Sequence, residues 1–109
     1  MTPGARLLVV DDEPVQRESL AVWLSEDGYV VETAACGADA IAMARERDYS
    51  LLFVDLKMPP GIDGIETMRE IRKLRPDAAV VIVTAYATVD TAIAAIREGA
   101  IEYICKPCN

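Results

Sequence analysis

The chain has 109 residues, of which 52% are hydrophobic and 27% charged, and its formal net charge is −7 at pH 7. This length suits one domain, because two separate cores would each be too small to bury enough surface. The hydrophobic content excludes intrinsic disorder, and the acidic excess argues against nucleic acid or an anionic membrane as the main partner. The chain contains no histidine, which excludes mechanisms that need an imidazole of their own.

Targeting and redox signals indicate a cytoplasmic protein. No basic segment leading into an apolar run opens the chain, and no apolar run approaches the ~20 residues that span a bilayer. The three cysteines, Cys36, Cys105 and Cys108, are an odd number without the spacing of a disulfide framework. We therefore expect a soluble protein in a reducing compartment.

Short apolar runs alternate with stretches of helical periodicity, which predicts a repeated strand–helix unit. The predicted strands cover residues 7–10, 29–33, 51–54, 79–83 and 103–105. The predicted helices cover residues 14–28, 38–47, 65–75 and 88–99, and the last carries Ala92, Ile93 and Ile96 on one apolar stripe. Because crossovers between parallel strands are right-handed, the pattern predicts a doubly wound α/β fold: a five-stranded parallel sheet with helices on both faces.

Polar residues follow four of these strands at the point where each strand ends. Asp11, Asp12 and Glu13 follow the first, Asp55 the third, Thr84 the fourth and Lys106 the fifth. Each has an ordinary explanation when taken alone: a helix cap, a turn residue or a solvated charge. Together they fall on one edge of the sheet, where ligands of such sheets bind and where the carboxylates would repel one another without a cation.

This grouping predicts a magnesium site with phosphoryl chemistry. Magnesium takes oxygen ligands, commonly one or two carboxylates together with waters and phosphate oxygens. An ammonium and a hydroxyl opposite the metal would share the charge of a phosphoryl group. No serine, histidine or cysteine stands at the centre of the cluster, so the expected nucleophile is a carboxylate, which gives an acyl phosphate.

Four separated motifs resemble the receiver domain of two-component response regulators over nearly the whole chain. They are Asp11-Asp12-Glu13-Pro14, Asp55-Leu56-Lys57-Met58-Pro59, Thr84-Ala85 and Lys106-Pro107, in this order. The resemblance implies a flavodoxin-like sheet with strand order 2-1-3-4-5. It also implies a switch that catalyses its own phosphorylation and dephosphorylation rather than a turnover enzyme.

The resemblance implies roles for the acidic residues. Asp55 matches the phosphoacceptor, which takes a phosphoryl group from the phosphohistidine of a sensor histidine kinase. Asp11 and Asp12 match the acidic pair that binds Mg²⁺, with Asp12 the expected direct ligand. Lys57 matches the residue whose backbone carbonyl completes the metal site, and Asp55 is itself a metal ligand.

Roles in phosphate binding and switching are implied in the same way. Thr84 matches the hydroxyl that closes on the phosphoryl group, Ala85 a residue whose N–H reaches a phosphate oxygen, and Lys106 the lysine that pairs with it. Tyr103 matches an aromatic side chain that turns inward when Thr84 moves. The Lys106–Pro107 peptide bond is expected to be cis.

The sequence departs from the family pattern at two places. The loop after Met58-Pro59 carries one extra residue, Pro60 or Gly61, and only Cys108 and Asn109 follow the Lys-Pro pair, where receivers continue into a fifth helix. We therefore expect a single receiver domain over residues 1–109, truncated after the fifth strand. An uncovered patch near the first and fifth strands would then favour a homodimer or an exchange of elements between chains.

Other functions are open at this point. One is a pseudo-receiver that acts as a protein-interaction module without phosphorylation. A thiol oxidoreductase would use the C-x-x-C of Cys105 and Cys108, although no helix follows it. A phosphatase of the haloacid dehalogenase type would need a D-x-D-x-T motif, which residues 11–15 do not match. For a receiver, the expected partners are a sensor histidine kinase and an unknown output domain or protein, with no direct binding to nucleic acid or membrane.

Overall fold

The computed structural model describes residues 4–106, in which five strands alternate with four helices. The strands are β1 (Arg6–Val10), β2 (Val30–Ala34), β3 (Leu51–Val54), β4 (Val80–Thr84) and β5 (Glu102–Cys105). The helices are α1 (Pro14–Glu26), α2 (Gly37–Glu46), α3 (Gly64–Leu74) and α4 (Val89–Arg97). The predicted elements are confirmed, with ends that differ by up to two residues.

All five strands are parallel, and their order is β2-β1-β3-β4-β5, which confirms the predicted fold class. The register aligns the strand ends: Val10 lies opposite Ala34 and Val54, and Val54 lies opposite Ile82. Residues that follow β1, β3 and β4 therefore emerge next to one another at the same edge of the sheet.

The two faces of the sheet are covered unequally. Leu8 and Val10 belong to a large core with residues of α2, α3 and α4, such as Met68 and Ile71. On the opposite face, Leu7 and Val9 of β1 form a smaller core with Leu24 of α1. Within residues 4–106, three helices thus cover one face and a single helix covers the other.

A groove of about 290 Å³ opens on the face that α1 covers, and we call it the α1 groove. Its apolar wall includes Leu20 and Trp23 of α1 and strand residues such as Val9, Phe53 and Val83. Its polar end contains Asp11, Asp55 and Lys106. The groove lies beside β1, β3 and β4, and Lys106, which follows β5, lines its polar end. Association of two chains through this surface stays a prediction.

Helix α4 turns its small residues towards the sheet. Ala95 is fully buried, whereas Ile93 and Ile96 are 46% and 51% exposed, so the apolar stripe expected from the sequence faces outward at its large residues. Thr88 caps this helix as predicted, because its hydroxyl accepts a hydrogen bond from the Thr91 N–H. No helix among residues 4–106 is long and apolar enough to cross a membrane.

A polar cluster ties the β2 edge to neighbouring elements. Glu32 of β2 forms ion pairs with Arg6 and Arg47 and accepts a hydrogen bond of 2.7 Å from the Tyr49 hydroxyl. Burial raises the pKa of Glu32, but these hydrogen bonds and positive charges outweigh it, so the pKa lies below its ordinary value. Burial and the contact with Glu32 raise the pKa of Tyr49.

Candidate functional site

Three carboxylates meet at the carboxyl edge of the sheet. Asp11 and Asp12 follow β1 and Asp55 follows β3, and one oxygen from each side chain lies within 4.8 Å of the others. Asp11 and Asp55 are buried and Asp12 is half-buried. The three acidic residues that were predicted to cluster thus lie together, because β1 and β3 are parallel and end side by side.

The turn into α1 holds the Asp11 carboxylate in place. Its Oδ1 accepts a hydrogen bond of 3.0 Å from the Glu13 N–H, and the Arg17 guanidinium donates to the Asp11 carbonyl oxygen at 2.9 Å. The N-cap position of α1 is occupied by Glu13, so neither Asp11 nor Asp12 is the N-cap residue itself. Sequence reasoning missed Arg17, because a bond to a backbone carbonyl leaves no motif.

The Lys106 ammonium lies between two of these carboxylates. Its Nζ is 2.7 Å from Asp11 Oδ2 and 3.3 Å from Asp55 Oδ2. Burial lowers the pKa of Lys106, but the hydrogen bond to Asp11 and the negative charges of Asp11 and Asp55 raise it by more, so the net shift is upward. The Lys106 N–H donates to the Thr84 carbonyl oxygen at 2.8 Å, which extends the β4–β5 pairing to the site. The expected cis bond before Pro107 lies outside the described residues.

One oxygen of Asp55 is buried without a hydrogen-bond partner in residues 4–106. This atom is Oδ1, and the residue is only 6% exposed. Burial raises the pKa of Asp55, the Lys106 charge opposes this rise, and the Asp11 charge adds to it, with a net upward shift. Three carboxylates against one ammonium leave two negative charges uncompensated when all are ionised. A divalent cation with oxygen ligands fits both the unpartnered oxygen and the excess charge.

Backbone contacts at Gly64 fix the position of the loop that follows β3 and Asp55. The Gly64 N–H donates to the Leu56 carbonyl oxygen at 2.7 Å, and a Cβ at position 64 would lie 2.1 Å from the Asp55 carbonyl oxygen. Asp63 caps α3 by accepting from the Glu66 N–H. The extra loop residue falls in the exposed segment 59–61, where the Pro59–Pro60 bond is cis.

The residues expected to switch lie on neighbouring strands but make different contacts. Thr84 is fully buried, and its Oγ1 accepts a hydrogen bond of 3.1 Å from the Tyr86 N–H. The half-buried Tyr103 places its hydroxyl 2.6 Å from Thr91 Oγ1, in the capping box of α4. Ala85, between Thr84 and Tyr86, is exposed. The contact between Tyr103 and Thr91 was not anticipated, since twelve residues separate them.

A further contact joins the loops that follow β3 and β4. The Lys57 ammonium lies 4.7 Å from the centre of the Tyr86 ring, a cation–π geometry. The resemblance assigned only the backbone carbonyl of Lys57 to the site, and Tyr86 carried no expected role. No signal in the sequence pairs the two side chains, except that each stands two residues after a site residue, Asp55 or Thr84.

Comparisons with known proteins agree with this geometry. The family model for the response regulator receiver domain matches residues 7–109. The transcriptional regulatory protein ZraR of Klebsiella oxytoca is 41% identical over 103 residues, which cover 94% of this chain and 23% of that protein. The chain thus spans about a quarter of the length of that curated relative.

Two solved structures are similar in sequence and fold. A response regulator protein from Burkholderia pseudomallei, with a phosphorylated aspartic acid, calcium ion and citrate, is 32% identical. The TM-score is 0.91, and the match covers 96% of this chain and 61% of that chain. The response regulator TrrA from Thermotoga maritima, in complex with Mg(2+)-BeF, is 40% identical with a TM-score of 0.86, over 96% of this chain and 89% of that one.

Proposed function

The chain belongs to the response regulator receiver domain family, and on this premise we propose that it accepts a phosphoryl group on Asp55 from the phosphohistidine of a sensor histidine kinase. The observation that carries the proposal is the buried Oδ1 of Asp55, which has no hydrogen-bond partner within residues 4–106 although Lys106 lies beside the other oxygen. A carboxylate oxygen without a hydrogen bond keeps its lone pairs free for attack.

In the transfer, an Asp55 oxygen forms a bond to phosphorus while the phosphorus–nitrogen bond of the donor breaks. The bonding electrons leave with the imidazole nitrogen, and Asp55 becomes an acyl phosphate. We expect the Lys106 ammonium to pair with the phosphoryl oxygens, because it lies beside both Asp11 and Asp55. Thr84 and the Ala85 N–H supply the remaining hydrogen bonds.

Asp11, Asp12 and Asp55 would hold a Mg²⁺ ion, together with the backbone carbonyl of Lys57. The proposal is supported by the convergence of the three carboxylates within 4.8 Å. When bound, the ion would supply positive charge close to the phosphoryl oxygens. Asp12 is the most accessible of the three carboxylates and the expected direct ligand.

Phosphorylation would act through Thr84 and Tyr103. The Thr84 hydroxyl now accepts from the Tyr86 N–H, and closing on a phosphoryl group would release this bond. We expect Thr84→Ala to leave phosphorylation of Asp55 largely intact and to uncouple it from the orientation of Tyr103. NMR of the Tyr103 ring with and without beryllofluoride measures this, and a ring that moves equally in the variant contradicts the role of Thr84.

The proposed partners follow from the chain's relatives. ZraR and TcrA are named transcriptional regulatory proteins, and this chain covers 23% and 42% of their lengths. We propose that residues 1–109 act as one receiver domain in the cytoplasm, and that a kinase and a separate output domain or protein complete the signalling path. The receiver itself would not contact nucleic acid, in keeping with its net charge of −7.

Phosphoryl transfer is tested with acetyl phosphate and Mg²⁺, followed by intact-protein mass spectrometry. The wild type should gain one phosphoryl group, and Asp55→Asn should gain none. Asp48→Asn is the matched control, because Asp48 is exposed and precedes β3, whereas Asp55 follows that strand at its other end. If Asp55→Asn is labelled as much as the wild type, Asp55 is not the nucleophile. If a chelator leaves labelling of the wild type unchanged, the reaction does not need the metal.

A further inference from the structure

The α1 groove runs from the carboxylate site along helix α1. The helix residues that line it are Gln16, Ser19, Leu20 and Trp23, which recur every three or four residues and so share one side of α1. Gln16 and Trp23 are seven residues apart, which corresponds to a wall of about 10 Å along the helix axis. The groove is therefore long enough for a single alkyl chain.

The sheet side of the groove is apolar. It is formed by Val9, Phe53 and Val83, which belong to the three adjacent strands β1, β3 and β4. The volume of about 290 Å³ lies at the lower end of the range for small-molecule sites. An apolar chain of modest size fits this space, whereas a drug-sized ligand would exceed it.

The polar end of the groove carries an excess of negative charge. Asp11 and Asp55 line it beside a single cation, Lys106. An oxygen of Asp12 lies within 4.8 Å of oxygens of both. Asp55 is 6% exposed, and its Oδ1 has no hydrogen-bond partner within residues 4–106. A ligand with a positively charged donor would supply both a hydrogen bond and a compensating charge.

We propose that the α1 groove binds a small amphiphilic amine, with its ammonium group beside Asp55 and its alkyl chain along α1 towards Trp23. A neutral head group would leave the negative charge uncompensated, and a carboxylate head group would be repelled. A second copy of the chain matches this end less well, because it would bring a further net charge of −7. The site does not require phosphoryl transfer, so the inference goes beyond the proposed function.

The amine and a divalent cation would compete for one carboxylate. Asp55 is a proposed ligand of Mg²⁺, and an ammonium group beside it would repel the metal ion. We therefore expect bound Mg²⁺ to weaken binding of the amine. By linkage, the amine must weaken binding of Mg²⁺ by the same factor.

The experiment titrates the 109-residue chain with n-octylamine by calorimetry, near neutral pH and with a chelator present. The ligand controls are 1-octanol and octanoate, which carry the same length of chain on a neutral or a negative head group. Octylamine should bind at least about tenfold more tightly than either control. Hexylamine should bind about fifteenfold more weakly than octylamine, because it lacks two buried methylene groups.

Two pairs of variants place the ligand in the groove. Asp55→Asn should weaken binding of octylamine about tenfold or more, because the ammonium loses a charged acceptor, and Asp48→Asn should leave it unchanged. Trp23→Ala should weaken binding about fivefold, because the alkyl chain loses part of its apolar wall. Val22→Ala is the matched control, since Val22 is 58% exposed on the same helix and lies outside the groove lining.

NMR locates the alkyl chain independently of affinity. Nuclear Overhauser contacts should join the octyl chain to methyl groups of Leu20 and Val83, which line the groove. Val89 of α4 is 76% exposed and serves as the control for general association with apolar surface. Contacts of equal strength to Val89 would overturn the site.

The remaining outcomes test each part of the proposal. Equal affinity of Asp55→Asn and the wild type for octylamine, or unchanged affinity with Mg²⁺ bound, overturns the position of the ammonium group. Equal affinity of Trp23→Ala and the wild type overturns the position of the chain. Sedimentation that shows a dimer unable to bind octylamine would assign the groove to a second copy instead. A wild type that takes no phosphoryl label contradicts the proposed function alone, because the amine titration does not involve that reaction.

Discussion

Replacing Asp55 by asparagine removes one charge from the three crowded carboxylates, and we expect the apo domain to become more stable. The carboxylate is buried beside Asp11, so desolvation and the Asp11 charge both disfavour its ionised form, and the neutral amide of asparagine carries neither of these costs. The substitution also weakens the contact with Lys106, but this contact is long at 3.3 Å and contributes less than a short bond. We therefore expect a net stabilisation of about 1–2 kcal/mol.

The dependence on pH has a definite sign. The pKa of Asp55 is raised in the folded state, so the folded protein binds this proton more tightly than the unfolded chain. The stability of the wild type therefore falls as pH rises from about 4 through the raised pKa, and the penalty is complete above it. Asp55→Asn has no carboxylate to ionise at this position and lacks this loss of stability, so the free energies of unfolding of the two proteins should differ most near neutral pH.

Thermal unfolding in the presence of a chelator measures the effect. For a domain of 109 residues, 1–2 kcal/mol corresponds to a rise in Tm of about 4–9 °C. Asp48→Asn should leave Tm unchanged, and added Mg²⁺ should stabilise the wild type more than Asp55→Asn. A variant that melts at or below the wild-type temperature near neutral pH would refute the account of Asp55 as a buried carboxylate that desolvation and the Asp11 charge destabilise.

Three other predictions concern the metal, helix α4 and the β2 edge. Asp12→Asn should weaken Mg²⁺ binding about tenfold more than Glu13→Gln in calorimetric titration, because losing a carboxylate ligand lowers the affinity more than losing a neighbouring charge. The opposite order would contradict the assignment of Asp12 as a direct ligand. Thr91→Val removes the hydrogen bond to the Tyr103 hydroxyl and one half of the capping box, so it should destabilise the domain by about 1 kcal/mol. It should also speed amide exchange in the first turn of α4, and unchanged exchange there would argue against the contact between Thr91 and Tyr103. Glu32 has a lowered pKa, so its contribution to stability is present above about pH 4.5 and is lost as pH falls through the folded value, and Glu32→Gln should flatten the acid branch of the unfolding curve.

The fold was predictable because its signals are local. Buried parallel strands need continuous apolar runs such as residues 7–10, and Gly28 closes α1 with a φ of 91°, a conformation that glycine adopts without strain. The site was predictable for a related reason. A parallel sheet brings the carboxyl ends of its strands to one edge, so the position of Asp55 after a strand already placed it near Asp11.

Contacts between distant side chains were not predictable in this way. The face that α4 buries depends on how closely the helix approaches the sheet, and helical periodicity does not distinguish the alanine face from the face of Ile93 and Ile96. The pairing of Lys57 with Tyr86 and of Tyr103 with Thr91 depends on rotamers in separate elements. A single sequence carries no pattern for such pairs.

The α1 groove also gives the protein a built-in optical reporter. Trp23 is the only tryptophan of the chain, and it lines the groove whose other end contains Asp11, Asp55 and Lys106. The residue is 59% exposed, so its emission in the free domain should be that of a hydrated ring. Covering the groove would dehydrate the ring and shift its emission to shorter wavelength, whereas a charge change confined to the polar end would alter intensity with little shift in wavelength. One unlabelled sample would therefore distinguish occupation of the apolar wall from events at the carboxylates.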